Sequence, residues 1–167
     1  ENYTITGQAT SYAGESYTFT VTVDDAIYFA DQIQVKVNDV AVDLDENGKY
    51  TIEALSGDTE VTVENVVERT LYTVTKPEVA GVTFTGNDNV REGKPYTFSI
   101  AVDTVRYLAG DMVVKVNGES VALDTNGSYT IASASENIDI VVSGVREKET
   151  YTVTKVVPEG MDSVTVN

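Results

Sequence analysis

The chain repeats itself at one constant spacing. Four short segments recur, and 96 − 17, 114 − 35, 129 − 50 and 151 − 72 all give 79. These segments are Tyr17-Thr18-Phe19, Val35-Lys36-Val37-Asn38, Tyr50-Thr51-Ile52 and Tyr72-Thr73-Val74-Thr75-Lys76. From the pair Thr4/Thr83 to the pair Lys76/Lys155 no gap is needed, and about 32 of the 73 aligned positions are identical. A repeat of this length, built from short segments, indicates at least two folded modules in tandem.

Within one repeat the pattern is that of β-strands. Residues 16–23 alternate apolar side chains with threonines, and residues 33–38 alternate in the same way. Asp45-Glu46-Asn47-Gly48 and its copy Asp124-Thr125-Asn126-Gly127 predict hairpin turns, because Asn-Gly tolerates positive φ. At most one helical turn is expected, near residues 26–31. The sequence therefore predicts an all-β fold of two tandem immunoglobulin-like antiparallel β-sandwich modules of about 79 residues each.

The repeat also predicts the domain boundaries. Residues 1–76 form the first immunoglobulin-like repeat and residues 77–157 the second, with Pro77 and Gly81 marking the break. Residues 158–167 are either the start of a third repeat or a C-terminal strand that packs or pairs. Residues 72–75 either close the first repeat or open the second.

Composition excludes several classes of function. The net charge of −16 disfavours binding to nucleic acid and insertion at anionic membranes. The chain has no Cys and no His, so it lacks thiol chemistry and the usual general base. It begins at Glu1, as expected of a mature or trimmed fragment.

No sequence motif for catalysis is present. A nucleophile elbow, a phosphate-binding loop, a dinucleotide fingerprint and a zinc-protease motif are all missing from the chain. With 27 acidic residues, a catalytic pair of carboxylates like that of glycosidases stays an open alternative, but a module of this size rarely offers a deep cleft. We therefore predict a protein that is not an enzyme, with no catalytic residues, cofactor-binding residues, metal ligands or cofactors.

One segment imitates the start of a calcium loop. Asp43, Asp45 and Asn47 precede Gly48 with the spacing of such a loop. The imitation fails at its twelfth position, which is Ala54, and the second copy replaces Asp43 by Ala122. A hairpin turn explains both copies.

Matched lysines and asparagines raise a second possibility. Surface modules of Gram-positive bacteria sometimes cross-link a buried Lys to an Asn beside a carboxylic acid. The pairs Lys36/Lys115 and Asn38/Asn117 supply the residue types, as do Lys76/Lys155 and Asn47/Asn126. However, Lys36 points opposite to Val35 and Val37 on its strand, which favours a solvated strand face.

The tyrosines are the remaining residues that could form a binding surface. Alternation places Tyr17 and Tyr50, with their copies Tyr96 and Tyr129, in the core. For the pair Tyr28/Tyr107 the sequence leaves open a hydroxyl-to-backbone contact or exposure. Tyr3 and Tyr12 have no tyrosine partner in the second copy, so they are the candidates for a surface specific to the first module.

The succession of Gly14, the Tyr17 and Val35 segments, Asn47-Gly48 and the Tyr50 segment resembles a known family. This family is the tandem immunoglobulin-like repeats of surface and secreted proteins of Gram-positive bacteria. The resemblance implies a non-catalytic spacer, stalk or adhesion module, located at the bacterial cell surface or secreted. Its implied partners are a host or cell-wall ligand, either protein or glycan, and further repeats of the same chain. The alternative is a carbohydrate-binding accessory module of a secreted enzyme.

Overall fold

The computed structural model describes residues 2–156, and every regular element in this range is a β-strand. The strands that correspond to the first repeat are β1 (Tyr3–Thr6), β2 (Tyr17–Val23), β3 (Gln34–Val37), β4 (Val40–Val42), β5 (Tyr50–Ile52) and β6 (Val61–Glu64). They are followed by β7 (Leu71–Thr75), β8 (Val82–Thr85), β9 (Asn89–Arg91), β10 (Tyr96–Val102), β11 (Tyr107–Leu108), β12 (Val113–Val116), β13 (Glu119–Val121), β14 (Ser128–Ile131), β15 (Ile138–Ser143) and β16 (Arg146–Glu147). The predicted all-β fold with antiparallel pairing is confirmed.

Contacts divide the chain into two compact units. Within the described residues, the first unit comprises residues 2–75, 86–98 and 130–138, and the second comprises residues 76–85, 99–129 and 139–156. The predicted domain boundaries, residues 1–76 and 77–157, follow the sequence repeat and stay a prediction. The predicted terminal strand, residues 158–167, lies outside the described residues.

One core cluster of the first unit is built by alternating side chains of the first repeat. β2 lies between β1 and β5, and β3 lies between β4 and β6. Phe19, Val35 and Tyr50 are buried together, and the rings of Phe19 and Tyr50 stack with centroids 5.3 Å apart. The threonines of β2 alternate with these inward side chains, as the period of two predicts.

β7 belongs to the same unit but pairs with a strand of the second repeat. Leu71, Tyr72 and Thr73 lie opposite Arg91, Val90 and Asn89 of β9 in antiparallel register. Among the two alternatives that the sequence left open for residues 72–75, this pairing favours the one in which they open the second repeat.

The second unit repeats the strand order of the first repeat. β12 pairs with both β13 and β15, as β3 pairs with β4 and β6. β8 pairs with the Ser99–Val102 part of β10, and β11 pairs with β16. Buried Val114, Ile140 and Val142 alternate with outward residues along β12 and β15.

The segment after β2 forms a single turn, not a helix. The amides of Ile27 and Tyr28 both donate to the carbonyl of Asp24, and the Asp24 carboxylate accepts the amide of Ala26. Asp103 forms the same turn after β10. The turn closes where Tyr28 bridges to Glu68, and Tyr107 pairs with Glu147 at the matching position.

Candidate functional site

The carboxylates of the calcium-like segment serve the hairpin turn. Asp45 Oδ1 accepts the amides of Asn47 and Lys49 at 2.8 and 2.9 Å. The backbone hydrogen bond from Lys49 is the main cause that lowers the pKa of Asp45 below its ordinary value. Asp124 makes the same two hydrogen bonds to Asn126 and Ser128, at 2.8 and 2.9 Å. Across residues 2–156 no group of three or more acidic side chains is arranged to hold a metal ion.

The matched lysines and asparagines also have local roles. Lys36 Nζ lies 2.7 Å from a carboxylate oxygen of Glu64, across the pair β3–β6, and Lys115 is exposed. Asn38 Oδ1 accepts the amide of Glu60 at 2.8 Å, and Asn117 Oδ1 accepts the amide of Asp139 at 2.7 Å. Both asparagines adopt positive φ, so the side chain fastens a left-handed turn to the neighbouring strand.

The predicted core tyrosines are not all equally buried. Tyr50 and Tyr96 are 4% and 3% exposed, and burial raises the pKa of both. Tyr17 and Tyr129 are half-buried, so the burial is not equal in the two copies, although Tyr17 packs against the cluster of Phe19, Val35 and Tyr50 as predicted. Tyr17 and Tyr96 nevertheless donate to equivalent carbonyls, those of Gln8 and Asn87, at 2.6 and 2.7 Å.

The tyrosines proposed for a surface differ from each other. Tyr12 is 84% exposed, whereas Tyr3 is half-buried on β1. Tyr28 is half-buried, and its carbonyl accepts a hydrogen bond from Arg69 Nε at 3.1 Å. Tyr28 therefore takes part in a hydrogen-bonded cluster centred on Arg69.

This arginine cluster ties the segment before β7 to two other parts of the first unit. The Arg69 side chain is 10% exposed and lies over the ring of Phe29, with its guanidinium carbon 4.1 Å from the ring centre. It donates to the carboxylate of Asp25 at 2.7 Å and to the carbonyl of Glu92 at 3.2 Å. Lys94 also pairs with Asp25, and the hydrogen bonds from Lys94 and then Arg69 lower the pKa of Asp25 to about 2. The cluster has a structural role, because its donors and acceptors form hydrogen bonds and ion pairs with one another.

A second feature of the first unit lies away from the arginine cluster. A cavity of about 260 Å³ is lined by residues 8–11 and 57–59, Tyr17, Leu55 and Val61. β6 is the edge strand of its sheet, and residues 10–12 belong to no strand. We call this feature the strand cavity.

In the second repeat, several residues at the matching positions contact β7. Val90 pairs with Tyr72, and the carbonyl of Asp88 accepts the Val74 amide at 2.8 Å. Asn137 Oδ1 accepts the Thr73 amide at 3.0 Å. Val74, Val90, Ala134 and Ile138 are all buried. The repeat offset carries Ala9, Ser11, Leu55, Asp58 and Thr59 of the strand cavity onto Asp88, Val90, Ala134, Asn137 and Ile138.

The second copy of the β7 sequence lies exposed. Tyr151-Thr152-Val153-Thr154-Lys155 has the sequence of residues 72–76, yet residues 151–156 form no strand. Tyr151 and Val153 are each 82% exposed, whereas Tyr72 is half-buried and Val74 is 8% exposed. Sequence reasoning found this repeat of the segment but missed the strand cavity, because a cavity depends on which strands pair.

Comparisons with known proteins add no relative, so the interpretation depends on the fold and the sequence repeat. No family model, no curated protein and no solved structure matches the chain. Within residues 2–156, no helix is long and apolar enough to span a membrane.

Proposed function

We propose that the chain is a non-catalytic extracellular structural segment of a bacterial cell-surface protein. It acts as a spacer or stalk that presents an adhesive or enzymatic part at a distance from the cell. It consists of two immunoglobulin-like β-sandwich modules. Its partners are further repeats of the same kind and a host or cell-wall ligand of protein or glycan nature.

The observation that carries this proposal is the folded state of the segment that connects the repeats. Residues 71–75 are a paired strand, and Arg69 immediately before them is held by Asp25 and by the Glu92 carbonyl. A spacer needs such a connection, because a free linker would yield by extending before the folded strands carried any load. The dense negative charge adds solubility and repulsion between neighbouring molecules at a crowded surface.

Location at the surface can be tested on the bacterium that produces the protein. An antibody against residues 1–156 should label intact cells as strongly as permeabilised cells, with a cytosolic protein labelled only after permeabilisation as the control. Labelling confined to permeabilised cells would contradict the proposal.

The spacer role can be tested by stretching single molecules held at their two ends. Arg69→Ala should lower the force at which the first unit yields, because it removes a 10% exposed side chain from its hydrogen bonds. Arg146→Ala is the matched control, because Arg146 is 68% exposed in its pair with Asp111. Equal forces for both variants would show that the arginine cluster carries no load.

The exposure of Tyr12 favours the carbohydrate-binding alternative. Tyr12 is 84% exposed and directly follows Ser11 in the wall of the strand cavity. An exposed aromatic ring beside a cavity can stack on a sugar ring. Binding to a panel of immobilised glycans that is lost on Tyr12→Ala would establish this function in place of the spacer. Equal binding by the wild type and by the variant would leave Tyr12 without that role.

A further inference from the structure

The strand cavity and the exposed segment at residues 151–155 correspond, through the repeat, to a site and a strand that are paired in the second repeat. Four positions line the cavity of the first repeat and correspond, in the second repeat, to residues that pair with β7 or accept a hydrogen bond from it: Ala9, Thr10, Ser11 and Asp58. The segment at residues 151–155 has the same five residues as the strand that fills that place. The chain therefore carries both an acceptor for this strand and a second copy of the strand itself.

We propose that residues 151–155 of one copy of the chain enter the strand cavity of a second copy as an added β-strand. The pairing of β7 with β9 gives the register. Tyr72 lies opposite Val90 and Thr73 opposite Asn89, so Tyr151 lies opposite Ser11 and Thr152 opposite Thr10. Main-chain hydrogen bonds then give affinity, and alternate side chains give specificity.

The polar contacts of β7 have counterparts in this complex. The amide of Val74 donates to Asp88, so the amide of Val153 donates to the carbonyl of Ala9. The amide of Thr73 donates to the side-chain oxygen of Asn137, so the amide of Thr152 donates to the carboxylate of Asp58. A hydrogen bond to an ionised acceptor is stronger than one to a neutral amide oxygen.

Apolar burial supplies the driving force. Tyr151 and Val153 are exposed over 82% of their surfaces, whereas Val74 is 8% exposed beside its neighbours. The side chains of residues 151 and 153 lie on one face of an extended strand, so both turn toward the same surface. Leu55 and Val61 supply apolar wall at that surface.

The contact joins two different surfaces, so it is heterologous. Each copy keeps one strand to donate and one cavity to accept, and association proceeds head to tail into rings or open chains. The occupant is a second copy because the donor sequence is written in this chain.

Association can be measured by sedimentation velocity over a wide range of protein concentration. The wild-type chain should show a reversible rise in mass with concentration. Val153→Asp should weaken this association by about tenfold or more. The reason is that it places a charge at the position that corresponds to Val74, which is buried beside β9. Val156→Asp is the matched control: Val156 is 77% exposed, corresponds to Pro77 beyond β7, and should behave as the wild type.

A gain of affinity tests the acceptor. Ser11 stands where the second repeat has the buried Val90. Ser11→Val should tighten the association by about threefold or more, because it adds apolar surface at the contact. Circular dichroism should show that each variant retains its fold, since residues 11, 153 and 156 are exposed.

A disulfide test fixes the register. The chain has no Cys, so a Thr10→Cys variant mixed with a Thr152→Cys variant should form a disulfide-linked pair on mild oxidation. Thr4→Cys, on the exposed face of β1, is the control and should give little pairing with Thr152→Cys.

Three results would overturn the proposal. A monomer at every concentration is one, and association that Val153→Asp leaves unchanged is another. The third is a monomer that loses thermal stability on Val153→Asp, because it would assign the strand to the cavity of its own chain.

Discussion

At the scale of single residues, Asp25 makes the strongest local prediction. Its pKa falls from the ordinary value of 3.8 to about 2 in the folded chain, mainly through the hydrogen bond from Lys94 and then that from Arg69. Because the folded state binds the proton more weakly than the unfolded state, ionised Asp25 stabilises the fold above pH 4. That stabilisation is lost as the pH falls from about 4 to about 2.

We therefore expect Asp25→Asn to lower the urea midpoint of unfolding near neutral pH. The difference from the wild type should shrink as the pH falls through the same window. Asp31→Asn, which removes an exposed carboxyl from the same segment, is the control. A difference that stays constant from pH 7 to pH 2 would show that the charge of Asp25 has no part in the stability of the cluster.

The two hairpin glycines offer a matched pair. Gly48 and Gly127 both adopt left-handed backbone, with φ of 71° and 75°. A Cβ on Gly48 meets nothing within 4 Å, whereas one on Gly127 would lie 2.6 Å from the carbonyl oxygen of Ile100. Gly48→Ala should cost about 1 kcal/mol for its backbone conformation. Gly127→Ala should cost clearly more in the free energy of unfolding measured with urea, and equal costs would contradict the close approach.

Sequence reasoning at this scale succeeded where a residue acts within its own turn or strand. The Asn47-Gly48 pair predicts a hairpin turn, and the hydrogen bonds from the amides of Asn47 and Lys49 to Asp45 make one. Sequence reasoning placed Tyr17 on the core face correctly but did not predict the extent of its burial, which depends on neighbours distant in the chain. The alternation of β2 shows which face Tyr17 occupies, but it does not show that this face ends at the strand cavity.

At the scale of the strand, β7 and its second copy allow one substitution to be compared in two environments. Val74→Ala should lower the free energy of unfolding by about 1–3 kcal/mol, because Val74 is 8% exposed. Val153→Ala, in the same five-residue sequence, should change it by less than about 0.5 kcal/mol in dilute solution, because Val153 is 82% exposed. Chemical denaturation at low protein concentration measures both, and a similar loss for the two variants would contradict the difference in burial.

The hairpin at residues 45–48 yields a prediction about metals. Since Asp45 Oδ1 already accepts two backbone amides, chelator should leave the melting temperature of the chain unchanged. Asp45→Ala should lower it, because the turn loses both hydrogen bonds. A clear drop with chelator in the wild type, and none in Asp45→Ala, would reinstate a cation at this turn.

Most strands could be predicted from their alternating pattern, and the exceptions have a common cause. β2, β3 and β6 and their copies carry period-two apolar residues over four or more positions. β9, β11 and β16 have only two or three residues, too few for a period to be recognised. These short strands exist because a partner holds them, and the partner of β9 is a strand that the predicted boundary assigned to the first repeat.

At the scale of the whole molecule, the pairing of β7 bears on where a folding unit begins. The sequence repeat places the boundary after residue 76, but β7 pairs with β9 and contributes the buried Val74. A fragment of residues 70–156 keeps this strand, whereas a fragment of residues 77–156 removes it and leaves Val90 and Asn137 without their contacts to it. The two fragments differ by one strand of an otherwise identical chain.

We expect the longer fragment to unfold cooperatively and the shorter one to unfold at a much lower urea concentration or to remain unfolded. The reason is that removing β7 takes away its pairings with β9 and β15 and a buried side chain together. Adding a peptide of residues 70–76 should return part of the lost stability to the shorter fragment. The same peptide with Val74→Asp is the control, because it keeps the length and places a charge at the buried position.

If both fragments unfold at the same urea concentration, the folding unit begins at residue 77 and β7 contributes nothing to it. Rescue by the wild-type peptide alone would show that a strand of this sequence is recognised by the site even when it arrives from another molecule.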